Sequence, residues 1–148
     1  MCSKNNKRNW KKVLKEKNIK YSNQREAILK VLRDEKRPLK VKEIHNLLKK
    51  EYPRLRLSTI YRNMNVFVEK NLVKKIYFEI NDETYFELRE GEHHHHLVCV
   101  KCNHIKPLEC PLNDYLNDLV NNTAFTVLNH SVNIYGLCES CSKKNNIP

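Results

Sequence analysis

The sequence has only two glycines and lacks both a low-complexity tract and a long apolar run. This composition predicts an ordered chain apart from its tips, at about residues 1–8 and 142–148. The apolar stretches are short and broken by charges, far from the roughly 18–20 residues of a membrane span. The polar start, from Met1 to Asn9, leads into no apolar segment, which predicts that no secretory signal peptide is present. We therefore expect a cytoplasmic protein without a membrane partner.

Several catalytic motifs are missing as well. The sequence contains no His-Glu-x-x-His helix, no nucleophile elbow and no phosphate-binding loop. A metalloenzyme, in which exposed His and Glu side chains activate water, is the rival interpretation that this absence disfavours. We expect neither an enzyme nor a small organic substrate.

Charge is distributed unevenly along the chain. Residues 1–83 carry 23 Lys and Arg against 10 Asp and Glu, a net of +13, whereas residues 84–148 carry 5 against 7, a net of −2. This change of sign favours two small domains. The basic first half predicts a polyanionic partner such as nucleic acid.

The first half shows helical periodicity followed by strand periodicity. Apolar residues recur at helical spacing in four segments, with Ser22 and Ser58 as expected N-caps of the second and the fourth. The segments lie at about residues 9–18, 23–34, 41–52 and 58–70. Strands are predicted at 72–80 and 84–88, joined by a turn at 81–83. Helices followed by a β-hairpin predict a winged helix-turn-helix, and an RNA-binding sheet platform is disfavoured by the lack of surface aromatics on a sheet.

The fourth helix is the one that we expect to enter the DNA major groove. Its polar face presents Thr59, Tyr61 and Arg62, and Ser58 stands at its start. Arginine can contact guanine edges or phosphates, and an aromatic group can touch a thymine methyl. A solvated helix face is the alternative. Phosphate contacts are expected from basic residues that precede or begin the second helix. These are Lys15, Lys17, Lys20 and Arg25.

The second half predicts a small α/β unit. Strands are expected near residues 93–100, 104–108 and 125–135, with a helix at about 111–122. Such a unit can hardly shield both faces of its sheet, so we expect it to form a homodimer. The fold class is therefore α+β, an N-terminal winged helix-turn-helix domain with a small C-terminal α/β dimerisation domain.

Two Cys-x-x-Cys pairs form the strongest single motif. Cys99 and Cys102 make the first pair, and Cys138 and Cys141 make the second, with a gap of 35 residues between the pairs. Each spacing lets both thiolates point at one ion, and two pairs complete a tetrahedral sulfur site. A structural Zn²⁺ is the interpretation that we favour over disulfides, an iron–sulfur cluster or a redox pair.

Four consecutive histidines, His93 to His96, lead directly into the first of these pairs. Successive side chains alternate faces along a strand. His93 and His95 are therefore predicted to point one way, and His94 and His96 the other. We expect metal binding by at least one of these pairs.

These motifs together resemble the ferric uptake regulator (Fur) family of metal-dependent bacterial repressors. The similarity runs from about residue 18 to 141. It rests on five segments that occur in the family's order. These are Tyr21-Ser22-Asn23-Gln24-Arg25, Leu57-Ser58-Thr59-Ile60-Tyr61-Arg62-Asn63, Tyr85-Phe86-Glu87-Leu88, the histidine run with Cys99 and Cys102, and His130 before Tyr135-Gly136-Leu137-Cys138.

The resemblance implies a winged-helix domain over residues 1–84, a hinge over 85–91 and a metal-binding dimerisation domain over 92–148. It implies that a homodimer binds a double-stranded DNA operator with a divalent metal, Zn²⁺ or Fe²⁺, as co-repressor. Its implied regulatory ligands are Glu87, His94 and His96. Its implied second site consists of His93, His95 and His130, with Asp114 as the counterpart of the acidic ligand. Cys99, Cys102, Cys138 and Cys141 match the family's structural zinc site.

The chain departs from the family pattern in two places. Arg37-Pro38-Leu39-Lys40 stands where many members have a histidine before the third helix. Residues 106–110 lack the acidic ligand expected there, and Glu109 or Cys110 is its substitute at the hinge site. His95 replaces an aspartate common in iron regulators, which favours zinc over iron because three histidines and a carboxylate suit four-coordinate Zn²⁺. A peroxide-sensing repressor, whose iron oxidises its own histidine ligands, is the alternative function.

Overall fold

The computed structural model describes residues 8–90, 93–112 and 115–145. The chain divides into two compact units, one ending at Arg89 and the other beginning at Glu90. No helix in the described ranges has the length and apolar content to cross a membrane.

The first unit has helices followed by a β-hairpin. Its elements are α1 (Trp10–Glu16), α2 (Asn23–Glu35), α3 (Val41–Leu48), α4 (Leu57–Glu69), β1 (Val73–Tyr77) and β2 (Thr84–Leu88). Each helix contributes apolar residues at helical spacing to one core, where burial stabilises the fold by about 1.5–3 kcal/mol for each large apolar side chain. Fully buried members of this core are Trp10, Leu14, Ile28, Leu29, Ile44, Ile60, Met64 and Phe67.

The start of α2 follows the sequence expectation, and the start of α4 does not. The backbone N–H of Arg25 donates to Ser22 Oγ at 3.2 Å, so Ser22 is the N-cap of α2. Ser58 is not a cap: the N-cap of α4 is Arg56, without a side-chain hydrogen bond. The N–H groups of Thr59 and Ile60 both donate to the Arg56 carbonyl, so the backbone is already helical at Ser58.

The hairpin forms the wing of a winged helix-turn-helix. β1 and β2 pair antiparallel from Val73 opposite Leu88 to Tyr77 opposite Thr84. Leu39 adds a short third segment by exchanging two backbone hydrogen bonds with Phe86, at 2.9 and 2.8 Å. Residues 78–83 separate the strands, a wider connection than the predicted turn. Residues 85–88, which were predicted to begin the hinge, belong to β2.

The second unit has its own sheet in the order β4-β3-β5. Its elements are β3 (His94–Cys99), β4 (Ile105–Glu109), α5 (Tyr115–Val120), β5 (Asn133–Gly136) and α6 (Glu139–Lys144). β3 is antiparallel to β4 and parallel to β5. The predicted strand at 125–135 is wrong for residues 125–132, where no strand forms, and α6 was not predicted. The α+β fold class is confirmed.

Candidate metal centres and DNA-binding surface

The four cysteines of the Cys-x-x-Cys pairs converge in the second unit. Cys99 ends β3, and the N–H of Asn103 returns to the Cys99 carbonyl at 2.9 Å, which turns the chain so that Cys102 lies beside Cys99. Cys138 is the N-cap of α6, and Cys141 lies one turn further along that helix. The four sulfur atoms lie within 4.8 Å of one another. Four thiols at such separations suit the tetrahedral sulfur coordination of structural Zn²⁺.

The protonation of these thiols depends on their surroundings. Backbone N–H groups of Cys138 and Cys102 face the Cys99 sulfur and lower the pKa of that thiol to about 6. Burial, with hydrogen bonds among the neighbouring thiols, raises the pKa of Cys141 to about 12. Cys99 is therefore ready to bind as a thiolate, whereas the Cys141 thiol loses its proton to solvent when a cation binds its sulfur.

A second cluster brings three histidines to one point. The Nε2 atom of His93 lies 3.0 Å from Nε2 of His95 and 2.9 Å from Nε2 of His130. His95 and His130 are 3.2 Å apart at the same atoms. His95 in β3 and His93 directly before this strand thus point to one side together with His130, and these are the three histidines assigned to the second site. Asp114, their predicted acidic partner, lies outside the described residues.

Cys110 occupies the fourth position of this cluster. Its Sγ lies 3.3 Å from His95 Nε2 and 3.1 Å from His130 Nε2. The sequence predicts Cys110 only as a substitute ligand at the hinge site. The pairing of β3 with β4 explains its place, because His94 lies opposite Glu109 and the next position of the register puts Cys110 opposite His93.

His95 is the most buried ring of the cluster, with 2% of its surface exposed. Burial, together with the adjacent rings of His93 and His130, lowers the pKa of His95, so the ring is neutral at physiological pH. Its Nδ1 accepts a hydrogen bond from the Val132 N–H at 3.0 Å. A neutral ring that accepts at Nδ1 carries its hydrogen on Nε2, the atom that faces the other three ligands.

The remaining two histidines of the run lie on the other face of β3. The ring centroids of His94 and His96 are 5.4 Å apart. His96 is buried and His94 is half-buried. Their predicted partner Glu87 belongs to β2 in the first unit, where it is also buried and forms a 3.0 Å ion pair with Lys74 on the paired strand. The carboxylate of Glu87 and the imidazoles of His94 and His96 are donor groups that both zinc and iron accept.

The exposed face of α4 carries the residues that were predicted to read DNA. Ile60, Met64 and Phe67 are buried. On the other side Tyr61 is 48% exposed, and Ser58 and Arg62 are exposed too, while Thr59 is half-buried. This division leaves the polar face of α4 open to a partner.

Of the predicted phosphate contacts, Arg25 has a structural connection that the sequence did not indicate. Its Nε donates to Asn63 Oδ1 at 2.9 Å, and its Nη1 donates to the Lys20 carbonyl. The Asn63 amide in turn donates to the Thr59 carbonyl at 2.9 Å. Arg25 therefore joins α2 to α4. Lys15 and Lys20 are exposed, and Lys17 is half-buried.

Comparisons with known proteins agree on one family. The family model described as "Ferric uptake regulator family" matches residues 16–135. The chain is 32% identical over 137 residues to the ferric uptake regulation protein of Staphylococcus epidermidis, covering 91% of this chain and 95% of that one. It is 32% identical over 135 residues to the peroxide operon regulator of Bacillus subtilis, covering 90% and 92%. The crystal structure of the Vibrio cholerae ferric uptake regulator superposes with a TM-score of 0.78 at 27% identity, covering 88% of this chain and 100% of that one.

Proposed function

The chain belongs to the ferric uptake regulator family and is a metal-responsive, DNA-binding regulator of transcription; we propose that Glu87, His94 and His96 bind the metal that controls its affinity for an operator. The observation that carries this proposal is the position of two histidines on one face of β3, a strand that starts six residues after β2 ends. β2 carries Glu87 and forms part of the wing. The same short stretch of chain therefore bears ligands on both sides of the unit boundary.

A bound divalent cation supplies the positive charge that lets one carboxylate and two imidazoles share a centre. Glu87 is held in place by Lys74, and His96 is held by its burial in the sheet. When these three side chains share one ion, β2 and β3 are tied to each other through it. The winged-helix unit then has fewer orientations, and DNA binding loses less entropy.

The DNA side of the proposal rests on α4. Tyr61 and Arg62 contact base edges, with Ser58 and Thr59 at the start of the helix closest to the backbone of the duplex. Lys15 and Lys20 contact phosphates, and the charge of +13 on residues 1–83 attracts the duplex before these contacts form. Arg25 fixes α2 against α4 and contributes to binding mainly through that geometry.

The proposed regulator acts as a homodimer in the cytoplasm. Exposed apolar side chains in the second unit support a homodimer, because their contact with water is unfavourable and packing against a second copy would remove it. Phe125 is 78% exposed and Leu128 is 93% exposed, and Tyr115 and Leu119 of α5 are exposed as well. Two copies joined through this unit present two winged helices to the half-sites of a pseudo-palindromic operator.

The switch is tested by measuring operator affinity in protein whose structural zinc is retained and whose other metals are removed. A duplex selected from random sequences in the presence of metal serves as the operator, at fixed salt concentration. Adding Zn²⁺ or Fe²⁺ is expected to raise affinity by about 5–150-fold, the usual range of such coupling. Glu87→Ala and His96→Ala abolish this increase, and His104→Ala, at an exposed histidine outside the clusters, retains it. Equal affinity with and without metal would end the proposal.

A peroxide sensor is the second candidate, favoured by the 32% identity to a peroxide operon regulator. In that case His94 and His96 would hold Fe²⁺, hydrogen peroxide would transfer one oxygen atom to one of these rings with release of one water molecule, and operator affinity would fall. Mass spectrometry of the histidine-containing peptide decides between the two functions. Unmodified His94 and His96 after exposure exclude peroxide sensing by this route and leave metal sensing in place.

A further inference from the structure

We propose that Cys110 is the fourth ligand of a second metal site, with His93, His95 and His130, and that its thiolate makes this site selective for Zn²⁺ over Fe²⁺ and Mn²⁺. The resemblance to the family implied a carboxylate in this role, at Asp114. Among the described residues, the cluster contains no carboxylate. The inference concerns metal binding alone, so it stands or falls separately from operator switching.

The spacing of the four atoms suits a small tetrahedral ion. Zinc binds imidazole nitrogen at about 2.0–2.1 Å and thiolate sulfur at about 2.3 Å, so the edges of a zinc tetrahedron measure roughly 3.3–3.7 Å. Five of the six separations among the four ligand atoms run from 2.9 to 3.3 Å, and the sixth, between His93 and Cys110, is within 4.8 Å. Small outward rotations of the rings bring them to these values. Six-coordinate ions need two further ligands, which at this site would have to be water molecules, because among the described residues the cluster offers four donors.

The chemistry of the donors favours the same ion. Three imidazoles alone accept zinc, iron(II), nickel or copper, but a thiolate favours zinc and softer ions and disfavours manganese and magnesium. Cys110 and His130 are both half-buried, and His93 is exposed. Solvent therefore reaches the group, and an ion can enter it in the folded protein.

The contact of His95 with Val132 adds a structural consequence. In the geometry described above, Val132 N–H donates to Nδ1 of His95, and the ring hydrogen sits on Nε2. Binding an ion at Nε2 displaces that hydrogen. A neutral metal-bound ring carries its hydrogen on Nδ1, where it faces the Val132 N–H, so this hydrogen bond breaks and the amide turns away. Val132 directly precedes β5, so filling the site alters the start of that strand.

Cobalt substitution tests the ligand set directly. Full-length protein keeps zinc in the four-cysteine site, is stripped of other metals and is titrated with Co²⁺. The wild-type protein is expected to gain a near-ultraviolet sulfur-to-cobalt charge-transfer band at one equivalent, because among the described residues Cys110 is the one cysteine outside the four-cysteine site. Cys110→Ser loses this band, and Cys2→Ser, which removes the remaining cysteine, keeps it. A band of unchanged intensity in Cys110→Ser overturns the proposal.

Selectivity is measured by competition of Zn²⁺ with Mn²⁺ for the same stripped protein. Cys110→Ser is expected to lose zinc affinity by at least 10–100-fold, the usual cost of disturbing a metal site. Cys110→Asp restores a ligand but lowers the preference for Zn²⁺ over Mn²⁺. An unchanged preference in Cys110→Asp contradicts the role given to the thiolate.

Two further measurements use the wild-type chain alone. Zn²⁺ is expected to protect Cys110 from alkylation by iodoacetamide, with Cys2 as the unprotected reference in the same sample. Zn²⁺ is also expected to shift the backbone amide resonance of Val132. Equal alkylation of Cys110 with and without the ion would refute the assignment even if the variants failed to fold.

Discussion

Strand alternation places four consecutive histidines on two opposite sides of the sheet. His93 and His95 meet His130, while His94 and His96 share the opposite face of β3. This division follows from the two-residue period of a strand and was predictable from the sequence. The place of Cys110 was not, because it depends on which residue of β4 lies opposite His94. A register shifted by one residue would turn Cys110 to the other side of the sheet.

The side chain of Arg62 provides a test of DNA reading. Arg62→Ala removes one charged, exposed group from α4 without touching the core, so folding is expected to be unchanged. Operator affinity is expected to fall by roughly 1–3 kcal/mol, about 5–150-fold, if Arg62 contacts a base, and selectivity at one base pair relaxes. Fluorescence anisotropy with the operator and single-base variants measures both quantities.

Arg33→Ala is the matched control, since Arg33 is a basic residue of α2 that pairs with Asp34. It loses the same charge but is expected to change operator affinity only slightly. Equal losses in the two variants would mean that Arg62 contributes charge alone and reads no base.

Asn63 is a buried polar residue whose loss is expected to destabilise the first unit. Asn63→Ala leaves Nε of Arg25 without its acceptor and removes the donor to the Thr59 carbonyl. The expected cost is about 1–3 kcal/mol of unfolding free energy, measured by chemical denaturation. Asn65→Ala, at an exposed position of the same helix, is expected to be nearly neutral. Comparable costs in both variants would contradict the structural role given to Asn63.

At the scale of elements, the first unit was largely predictable and the second only in part. The helices of the first unit each bury a regular stripe in one core, so periodicity alone located them. The N-terminus of α4 was misplaced because a serine at the right spacing is a weak signal where the helix begins without a side-chain cap. In the second unit α6 was not predicted because its six residues have no apolar stripe. Its position instead depends on Cys138 and Cys141, which belong to the cysteine cluster.

The dependence of α6 on the cysteines predicts the effect of zinc loss. Structural zinc contributes about 10–16 kcal/mol in small domains, which matches or exceeds the roughly 5–15 kcal/mol of total stability of a domain. Cys138→Ser is therefore expected to unfold the second unit and to lower the zinc content by about one ion per chain. Hydrogen exchange and elemental analysis measure these effects, and the amides of the first unit remain protected because its core is separate.

Cys2→Ser is the control for this variant and is expected to keep both zinc and fold. Protected amides in β3 and β5 after zinc loss from Cys138→Ser would contradict the structural role of the ion.

At the scale of the molecule, the predicted DNA-binding groups and most of the metal-binding side chains lie in different units. The first carries the positive charge and the exposed face of α4, and the second carries most of the metal-binding side chains. The charge change near residue 84 predicts a division there, and the compact units of the structure divide between Arg89 and Glu90. Charge could not locate it more closely, because β2 continues the wing through Leu88 and its length depends on pairing with β1.

Exposed apolar residues of the second unit provide a test of dimerisation. Leu128→Asp places a charge where we expect a second copy to pack, so the dimer is expected to dissociate at micromolar concentration, as measured by sedimentation velocity. Leu47→Asp is the control, since Leu47 is an exposed leucine of the first unit. A Leu128→Asp protein that sediments as a dimer like the control would show that this side chain lies outside the interface.

The most direct test of the central claim, that metal and operator binding are coupled through one molecule, is the metal affinity measured with and without operator. Thermodynamic linkage requires the operator to raise metal affinity by the same factor by which metal raises operator affinity. We expect equal factors in the wild-type protein and a factor of about one in Glu87→Ala. The same metal affinity in the free and the operator-bound wild-type protein would contradict the claim.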